Sequence, residues 1–348
     1  MNEVTQPKSL VLVIGAGASK EINLPVGTEL RNKIADILNI KYHRYQKISG
    51  DNTIDAAFRI FADDINPFLH SSLRIRDAMP QAISIDNFID SHRNDDRIAK
   101  CGKLAIARCI LAAEAESKLY INLHGASRQF RFSDVENTWF NAFFQLLHEN
   151  CQESELDQRF SQVAIVSFNY DRCIAHYLHC ALQNYYGIDS TRAAQVMNNL
   201  KIYHPYGSVG QLPWQNQTEG IDFGFCPDGL QLVKISKDIR TFTEGVNPRH
   251  SDIIEIRKTI KQTKRIAFLG FAFHKLNLDL LFSNSADEPR NMNRIVYATC
   301  LGISSANQLA IKNELTNFGV AYDHNLSFKE IKCAELFKEY QRGLSIHT

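Results

Sequence analysis

The chain has 348 residues, of which 44% are hydrophobic and 22% are charged, so it can bury a large core as one domain with an insertion or as two smaller domains. Thirty-nine lysines and arginines nearly balance 38 aspartates and glutamates, which leaves a formal net charge of +1. That balance excludes a whole-chain attraction to nucleic acid or to an anionic membrane, although a local basic patch stays open.

The N-terminal segment has a polar lead and a short apolar run that stops at Gly15, unlike a secretory signal peptide. No stretch approaches the roughly 20 consecutive apolar residues of a membrane helix. The eight cysteines form no C-x-x-C pair, which favours reduced thiols over a disulfide framework or a zinc site. We therefore predict a cytoplasmic protein with no metal and no membrane contact.

The first element is a buried strand over Leu10–Ile14, because this run is apolar and rich in β-branched residues. Helical spacing follows over residues 30–38, so strand, glycine-rich turn and helix come in succession. The apolar spacing is also helical over residues 41–159. We therefore predict a helical insertion or cap over 41–159, with residues 1–40 and 160–348 forming one α/β domain.

Four further apolar runs, at residues 163–167, 200–203, 265–270 and 294–300, predict strands that alternate with helices. Such alternation favours a Rossmann-like parallel sheet with helices on both faces. A Cys-Pro-Asp-Gly turn separates two apolar runs within residues 208–250 and suggests a small β-hairpin there.

The turn after the first strand is rich in glycine: Gly15-Ala16-Gly17-Ala18-Ser19. A glycine-rich turn that leads from a buried strand into a helix suits a pyrophosphate, because the backbone can approach closely and the first helical N–H groups are unpaired. No Gly-Lys-Ser/Thr follows, so this turn is not the phosphate loop of an ATPase. The alternative is a purely structural tight turn.

Polar residues follow the next two predicted strands. Asn169 and Asp171 come directly after residues 163–167, at the edge where open α/β sheets hold ligands. Their alternative role is to cap the helix that starts near Cys173. His204 follows the strand at 200–203 and precedes Gly207, which makes it a candidate for proton transfer.

Taken together and in this order, these motifs resemble those of the sirtuin family. The correspondence also includes Pro25 after the glycine turn and Gly270 after the strand at 265–269. The resemblance implies NAD binding by Gly15, Ala16, Gly17, Ala18, Ser19, Pro25, Asn169, Asp171 and Gly270. It implies reaction chemistry at Asn169, His204 and Asp171.

The departures from the protein-deacylating sirtuins indicate a branch of the family. Those proteins bind a structural zinc with two cysteine pairs after the histidine, whereas residues 208–250 here contain only Cys226. Val26-Gly27-Thr28 replaces their acidic residue, Phe and Arg, and Arg31 comes later. A zinc-free chain with a helical insertion resembles the bacterial antiphage branch that degrades NAD, as does the segment at residues 84–89. This resemblance implies a partner ATPase ring of the HerA type. Because a cell cannot tolerate uncontrolled loss of NAD, we also expect a homo-oligomer whose assembly controls the activity.

We therefore expect an NAD+ glycohydrolase that releases nicotinamide and ADP-ribose. Cleavage of the nicotinamide–ribose bond needs a positioned ribose, a water nucleophile and a proton acceptor. Asn169 can position the ribose and the water, Asp171 can bind the ribose or orient the loop, and His204 can take the proton. Two alternatives stay open: an NAD-dependent protein deacylase, and a non-catalytic subunit that binds NAD or ADP-ribose in an assembly.

Overall fold

The computed structural model describes residues 8–121, 131–245, 247, 252–282 and 292–346. The strands within these residues are β1 (Leu10–Ile14), β2 (Lys41–His43), β3 (Gln46–Ser49), β4 (Val163–Ser167), β5 (Lys201–Tyr203), β6 (Arg265–Leu269), β7 (Ile295–Thr299) and β8 (Leu326–Lys329). The α-helices are α1 (Ala16–Ser19), α2 (Gly27–Ile37), α3 (Asn52–Phe61), α4 (Asn66–Ala78), α5 (Ile85–Ser91), α6 (Asp96–Glu116), α7 (Trp139–His148), α8 (Leu156–Ser161), α9 (Cys173–Tyr186), α10 (Ser190–Met197), α11 (Gly229–Ser236), α12 (Phe242–Gly245), α13 (Ile253–Gln262), α14 (Lys275–Leu281), α15 (Ser305–Asn317), α16 (Cys333–Glu339) and α17 (Gln341–Leu344). Across the same residues, no helix combines the length and the apolar content that crossing a membrane would require.

Six of the strands form one parallel sheet in the order β5-β4-β1-β6-β7-β8. After β1, the chain forms β4 and β5 on one side of it, and then forms β6, β7 and β8 on the other side. The strand order therefore reverses between β1 and β6, which is the switch point where Rossmann-like sheets hold ligands. Ile14 lies opposite both Ser167 of β4 and Leu269 of β6, so the three central strands end side by side. The predicted parallel α/β sheet is confirmed.

The central strand is buried on both of its faces, as the uninterrupted apolar run of β1 predicts. Val11 and Val13 belong to a hydrophobic core that includes residues of α3–α6, α11, α13 and α14. Leu10, Leu12 and Ile14 belong to a second core, built with α7, α9, α10 and α16. Helices therefore cover both faces of the sheet, as predicted.

The stretch from residue 41 to residue 159 is mainly helical where the structure describes it, apart from the small antiparallel sheet of β2 and β3. Phe58 of α3 and Leu104 of α6 lie in the core of Val11, whereas Trp139 and Phe143 of α7 lie in the core of Leu12. This helical insertion thus shares its hydrophobic interior with the sheet.

The β-hairpin predicted within residues 208–250 is wrong, because residues 230–235 belong to helix α11. The Asp228 side chain accepts a hydrogen bond from the Gln231 amide at 2.8 Å, and the Gln231 side chain accepts one from the Asp228 amide at 2.9 Å. This reciprocal capping box starts a helix. Leu232, Val233 and Ile235 then pack into the core at helical spacing.

Candidate active site

Two loops meet at the switch point, and glycines allow their backbones to touch. The Gly15 amide donates to Leu269 O and the Gly17 amide donates to Gly270 O, both at 3.0 Å. A Cβ atom on Gly15 would lie 2.6 Å from Gly270 O, and one on Gly17 would lie 2.9 Å from both Cα and O of Gly270. Gly270 itself has a φ of +53°, and a Cβ there would collide with Ala18 N. These glycines therefore have a structural role: they bring the loops after β1 and β6 into contact.

The other residues of the predicted cofactor loop lie beside this contact. Ala18 and Pro25 are buried, and Ala16 is half-buried at the start of the short helix α1. On the opposite side, the Gly270 amide donates to Thr299 Oγ1 at 2.8 Å, which ties the loop after β6 to the end of β7. Sequence reasoning did not identify Thr299, because a threonine at a strand end carries no distinctive pattern.

Asn169 is joined to the glycine turn by its side-chain amide. Its Nδ2 atom donates to Gly15 O at 3.2 Å and to Ser19 Oγ at 3.0 Å. Because a backbone carbonyl can only accept, these contacts fix the orientation of the amide. Within the described residues nothing donates to Oδ1 of Asn169, so this oxygen is available to a hydroxyl group or a water. Asn169 does not cap a helix.

The two carboxylate oxygens of Asp171 have different partners, one in the glycine-rich turn and one at the start of α9. Its Oδ2 accepts from Ser19 Oγ at 3.0 Å, whereas its Oδ1 accepts from the Cys173 amide in the first turn of α9 at 3.1 Å. Burial raises the pKa of the Asp171 carboxyl, and the charge of nearby Glu114 raises it further. Neither Asn169 nor Asp171 is the N-cap residue of α9, which is Arg172, but Asp171 supplies an acceptor for the first amide of that helix.

His204 lies against the backbone of Asn169. Its Nδ1 atom is 3.0 Å from Asn169 O, and since a carbonyl oxygen accepts, Nδ1 must carry the proton. Burial lowers the pKa of His204, and the positive charge of Arg240 lowers it further. The neutral ring therefore presents an unprotonated Nε2, to which no group in the described part of the chain donates. Such a nitrogen can accept a proton from a bound molecule.

The two-residue spacer between His204 and Gly207 forms a tight turn. The Gly207 amide donates to His204 O at 2.9 Å and closes the turn around Pro205 and Tyr206. Gly207 has a φ of +75°, and a Cβ there would collide with Asp238 O, so this position requires glycine. The spacer thus folds back on itself and leaves His204 beside Asn169.

Arg31 follows the predicted cofactor loop in the sequence, but its hydrogen bonds are not to Asn169 or His204. Its Nη1 atom donates to the backbone oxygens of Met79 and Ala82 in the helical insertion.

The structure also identifies two contacts of the site loop that sequence reasoning missed. Tyr170 donates its hydroxyl to Asp86 Oδ1, and Arg172 forms a buried ion pair with Glu114. The sequence signal for Glu114 is a carboxylate placed directly after the apolar run of residues 110–113. That signal names no partner, because Arg172 is 58 residues away.

No group of three or more His, Cys, Asp or Glu side chains lies close enough to hold a metal ion within the ranges that the structure describes. The eight cysteines, all within those ranges, are free thiols. No protein-family profile and no curated protein matches the chain. What the site can do is therefore argued from its own geometry: a free amide oxygen and an unprotonated imidazole nitrogen beside a glycine-lined switch point.

Proposed function

We propose that this protein is an NAD+ hydrolase that cleaves the nicotinamide–ribose bond and releases nicotinamide and ADP-ribose. The observation that carries the proposal is the joining of Asn169 and His204 at the switch point, each with a free acceptor atom. The motif order shared with the sirtuin family supports NAD as the substrate.

The proposed reaction is the attack of a water on the anomeric carbon of the nicotinamide ribose. The bond from this carbon to the nicotinamide nitrogen breaks, and its electron pair neutralises the cationic ring, so no general acid is required to expel it. The water oxygen bonds to the same carbon, and its proton passes to Nε2 of His204. Oxocarbenium character develops at the carbon, so placement of the water and the ribose governs the rate.

In this scheme, Asn169 positions the ribose or the attacking water. Its free Oδ1 accepts a hydrogen bond from a ribose hydroxyl or from the attacking water, while its Nδ2 is fixed by Gly15 O and Ser19 Oγ. A side chain that is held before substrate binds loses little freedom in the transition state. Asp171 holds Ser19 and thereby the amide of Asn169.

The pyrophosphate needs hydrogen-bond donors, and most amides of the glycine turn are already used. Those of Gly15, Gly17 and Ala18 donate to Leu269 O, Gly270 O and Gly15 O respectively. The amide of Ala16, the first of α1, has no partner among the described residues. We expect it to be the main donor of this turn to the pyrophosphate.

The resemblance extends the proposal to the biological setting. We propose that the chain acts in the cytoplasm as a homo-oligomer in antiphage defence, depleting NAD beside a HerA-type ring ATPase. Size-exclusion chromatography with light scattering, alone and with a co-expressed ATPase of this type, tests the assembly. A monomer that does not bind the ATPase would count against this assembly.

The function is tested by incubating the purified protein with NAD, with and without an acetyl-lysine peptide, and measuring nicotinamide, ADP-ribose and deacetylated peptide. We expect nicotinamide and ADP-ribose in equal amounts, whether or not the peptide is present. Asn169→Ala should lower the rate by roughly 100-fold, and His204→Ala by about 100- to 10,000-fold. Asn313→Ala, on the exposed face of α15, is the matched control.

Each contrary result would point to a different conclusion about the function. Nicotinamide release that depends on the peptide would indicate a deacylase. NAD binding without turnover would indicate a non-catalytic subunit. A folded Asn169→Ala protein with the parental rate would defeat the mechanism.

A further inference from the structure

The loop after β4 presents alternate residues to opposite sides. Asn169 and Asp171 contact Ser19 beside the glycine turn, whereas Tyr170 and Arg172 contact the helical insertion. Successive side chains of this loop therefore have their partners on opposite sides of it. Each residue on the insertion side meets an acidic side chain.

Arg172 is held by Glu114, near the end of α6, and both side chains are almost completely buried, with exposed fractions of 3% and 0%. Glu114 Oε1 accepts from the backbone amide of Arg172 at 3.0 Å and from its Nε at 3.1 Å, while Oε2 accepts from Nη2 at 2.5 Å. Oε2 also accepts from the Gly224 amide at 3.1 Å. Nη1 and Nη2 of Arg172 donate to Ile221 O and Asp222 O at 2.6 and 3.0 Å. One carboxylate thus fixes the loop backbone as well as the side chain.

Tyr170 is held by Asp86, in the first turn of α5. The buried tyrosine donates its hydroxyl to Asp86 Oδ1, and its backbone oxygen accepts from the Val209 amide at 3.1 Å. The same helix reaches further, since Asp90 accepts from Thr243 of α12. Two separate helices of the insertion therefore hold the residues that flank Asn169 and Asp171.

We propose that Glu114 and Asp86 are positioning residues of the reaction, through which the helical insertion sets the geometry of Asn169 and Asp171. The expected effect on the reaction rate rests on the proposed function. The contacts of Glu114 and Asp86 with the loop are a property of the fold alone. A binding event that shifts α5 or α6 would then move the loop that carries Asn169, through Tyr170 or Arg172.

The decisive variant is Glu114→Gln, which keeps the size of the side chain but replaces one accepting oxygen with an NH2 group that faces the guanidinium. Glu116→Gln is the matched control, because Glu116 lies on the same helix, is 70% exposed and pairs with Lys33 at 3.4 Å. Tyr170→Phe is the second variant. It removes a single hydroxyl and keeps the buried ring, so it tests the hydrogen bond to Asp86 with little change in side-chain volume.

Two readouts are taken on the full-length protein. The first is hydrogen–deuterium exchange of the peptide that spans residues 167–173, which does not depend on catalysis. We expect exchange there to quicken in Glu114→Gln and in Tyr170→Phe, and to stay unchanged in Glu116→Gln. The second is steady-state kinetics with NAD, where we expect kcat to fall roughly 10- to 100-fold and KM to stay within about threefold.

Parental exchange and parental kcat in Glu114→Gln would overturn the proposal, as would faster exchange with an unchanged kcat. If Glu114→Gln does not fold, the same comparison in Tyr170→Phe decides. If the parent protein releases no nicotinamide, the proposed function fails on its own, and the exchange data alone then decide whether the insertion holds the loop.

Discussion

The Nδ1 atom of His204 lies 3.0 Å from the backbone oxygen of Asn169, a contact that determines which ring nitrogen carries the proton. With Nδ1 protonated and the ring neutral, Nε2 is the basic atom. The same carbonyl belongs to the residue whose side chain we propose to position the ribose. Proton acceptor and positioning group are thus fixed to one another.

This relationship predicts an acid limit of activity. Burial lowers the pKa of His204 below its usual 6.5, and Arg240 lowers it further. The neutral base therefore persists below pH 6.5, and kcat/KM should decline only as the pH falls through the lowered pKa. Arg240→Gln removes a positive charge, so it should move this decline to higher pH. The control is Lys237→Gln, at an exposed position. An identical pH profile in Arg240→Gln would show that another group limits the rate.

The contact between the two loops predicts an unequal response to alanine at two glycines. Gly17→Ala places a Cβ 2.9 Å from Gly270 backbone atoms, which cannot move aside like a flexible side chain. We expect a loss of about 1–3 kcal/mol in the free energy of unfolding, together with weaker NAD binding. Gly27→Ala is the control, because a Cβ there meets no atom within 4 Å. Urea denaturation and calorimetric titration with NAD measure the two effects. Equal stability of both variants would contradict the close fit between the two loops.

Asp171 is expected to matter for stability as well as for the site. Asp171→Ala removes the acceptor for the buried Cys173 amide at the start of α9, which should lower the free energy of unfolding by about 1–3 kcal/mol. Asp189→Ala provides a comparison, because Asp189 caps α10 through the Arg192 amide at 2.7 Å and lies outside the site. Both variants should lose stability in urea, but only Asp171→Ala should lose activity. Full activity in folded Asp171→Ala would leave this residue with a role in stability alone.

The free energy of unfolding should depend on pH through His176. Burial lowers its pKa to about 4, while its Nε2 lies 3.1 Å from Leu119 O and its ring stacks on Phe223. Because the unfolded chain takes up this proton near pH 6.5 and the folded chain only near pH 4, stability falls as the pH drops between these values. The loss is at most about 3–4 kcal/mol. His176→Gln should flatten the dependence in urea titrations, whereas the exposed control His324→Gln should not. A parental slope in His176→Gln would assign the loss to other groups.

The sheet could be predicted from the sequence because its strands are continuous apolar runs. β1 and β4 are buried on both faces, and β-branched residues in a row leave few alternatives to a central parallel strand. The strands β2, β3 and β8 were not predicted. The turn between β2 and β3 has Arg44 and Tyr45 at φ values of 45° and 67°, without the Gly or Asn that usually marks such a turn.

The candidate site was predictable only in part. The positions of Asn169 and His204 follow from the rule that polar residues after parallel strands meet at one edge. Their contacts do not follow from any pattern. Ser19 and Asn169 are 150 residues apart, and Glu114 and Arg172 are 58 apart, so only the three-dimensional packing joins them. A capping box at Asp228 was present in the sequence, but an adjacent Pro-Asp-Gly turn favoured a hairpin.

The pairing of β1 with both β4 and β6 has a consequence for protein synthesis. One edge of β1 can pair when β4 has been made, but the other waits for β6, about 250 residues after β1 itself. At a ribosomal rate of about 5–20 residues per second, that wait lasts roughly 10–50 s. Gly270 leaves the ribosome later still, so a chain interrupted before it lacks the contact between the loops after β1 and β6. The NAD hydrolysis that we propose could therefore begin only well after the first strand has been made.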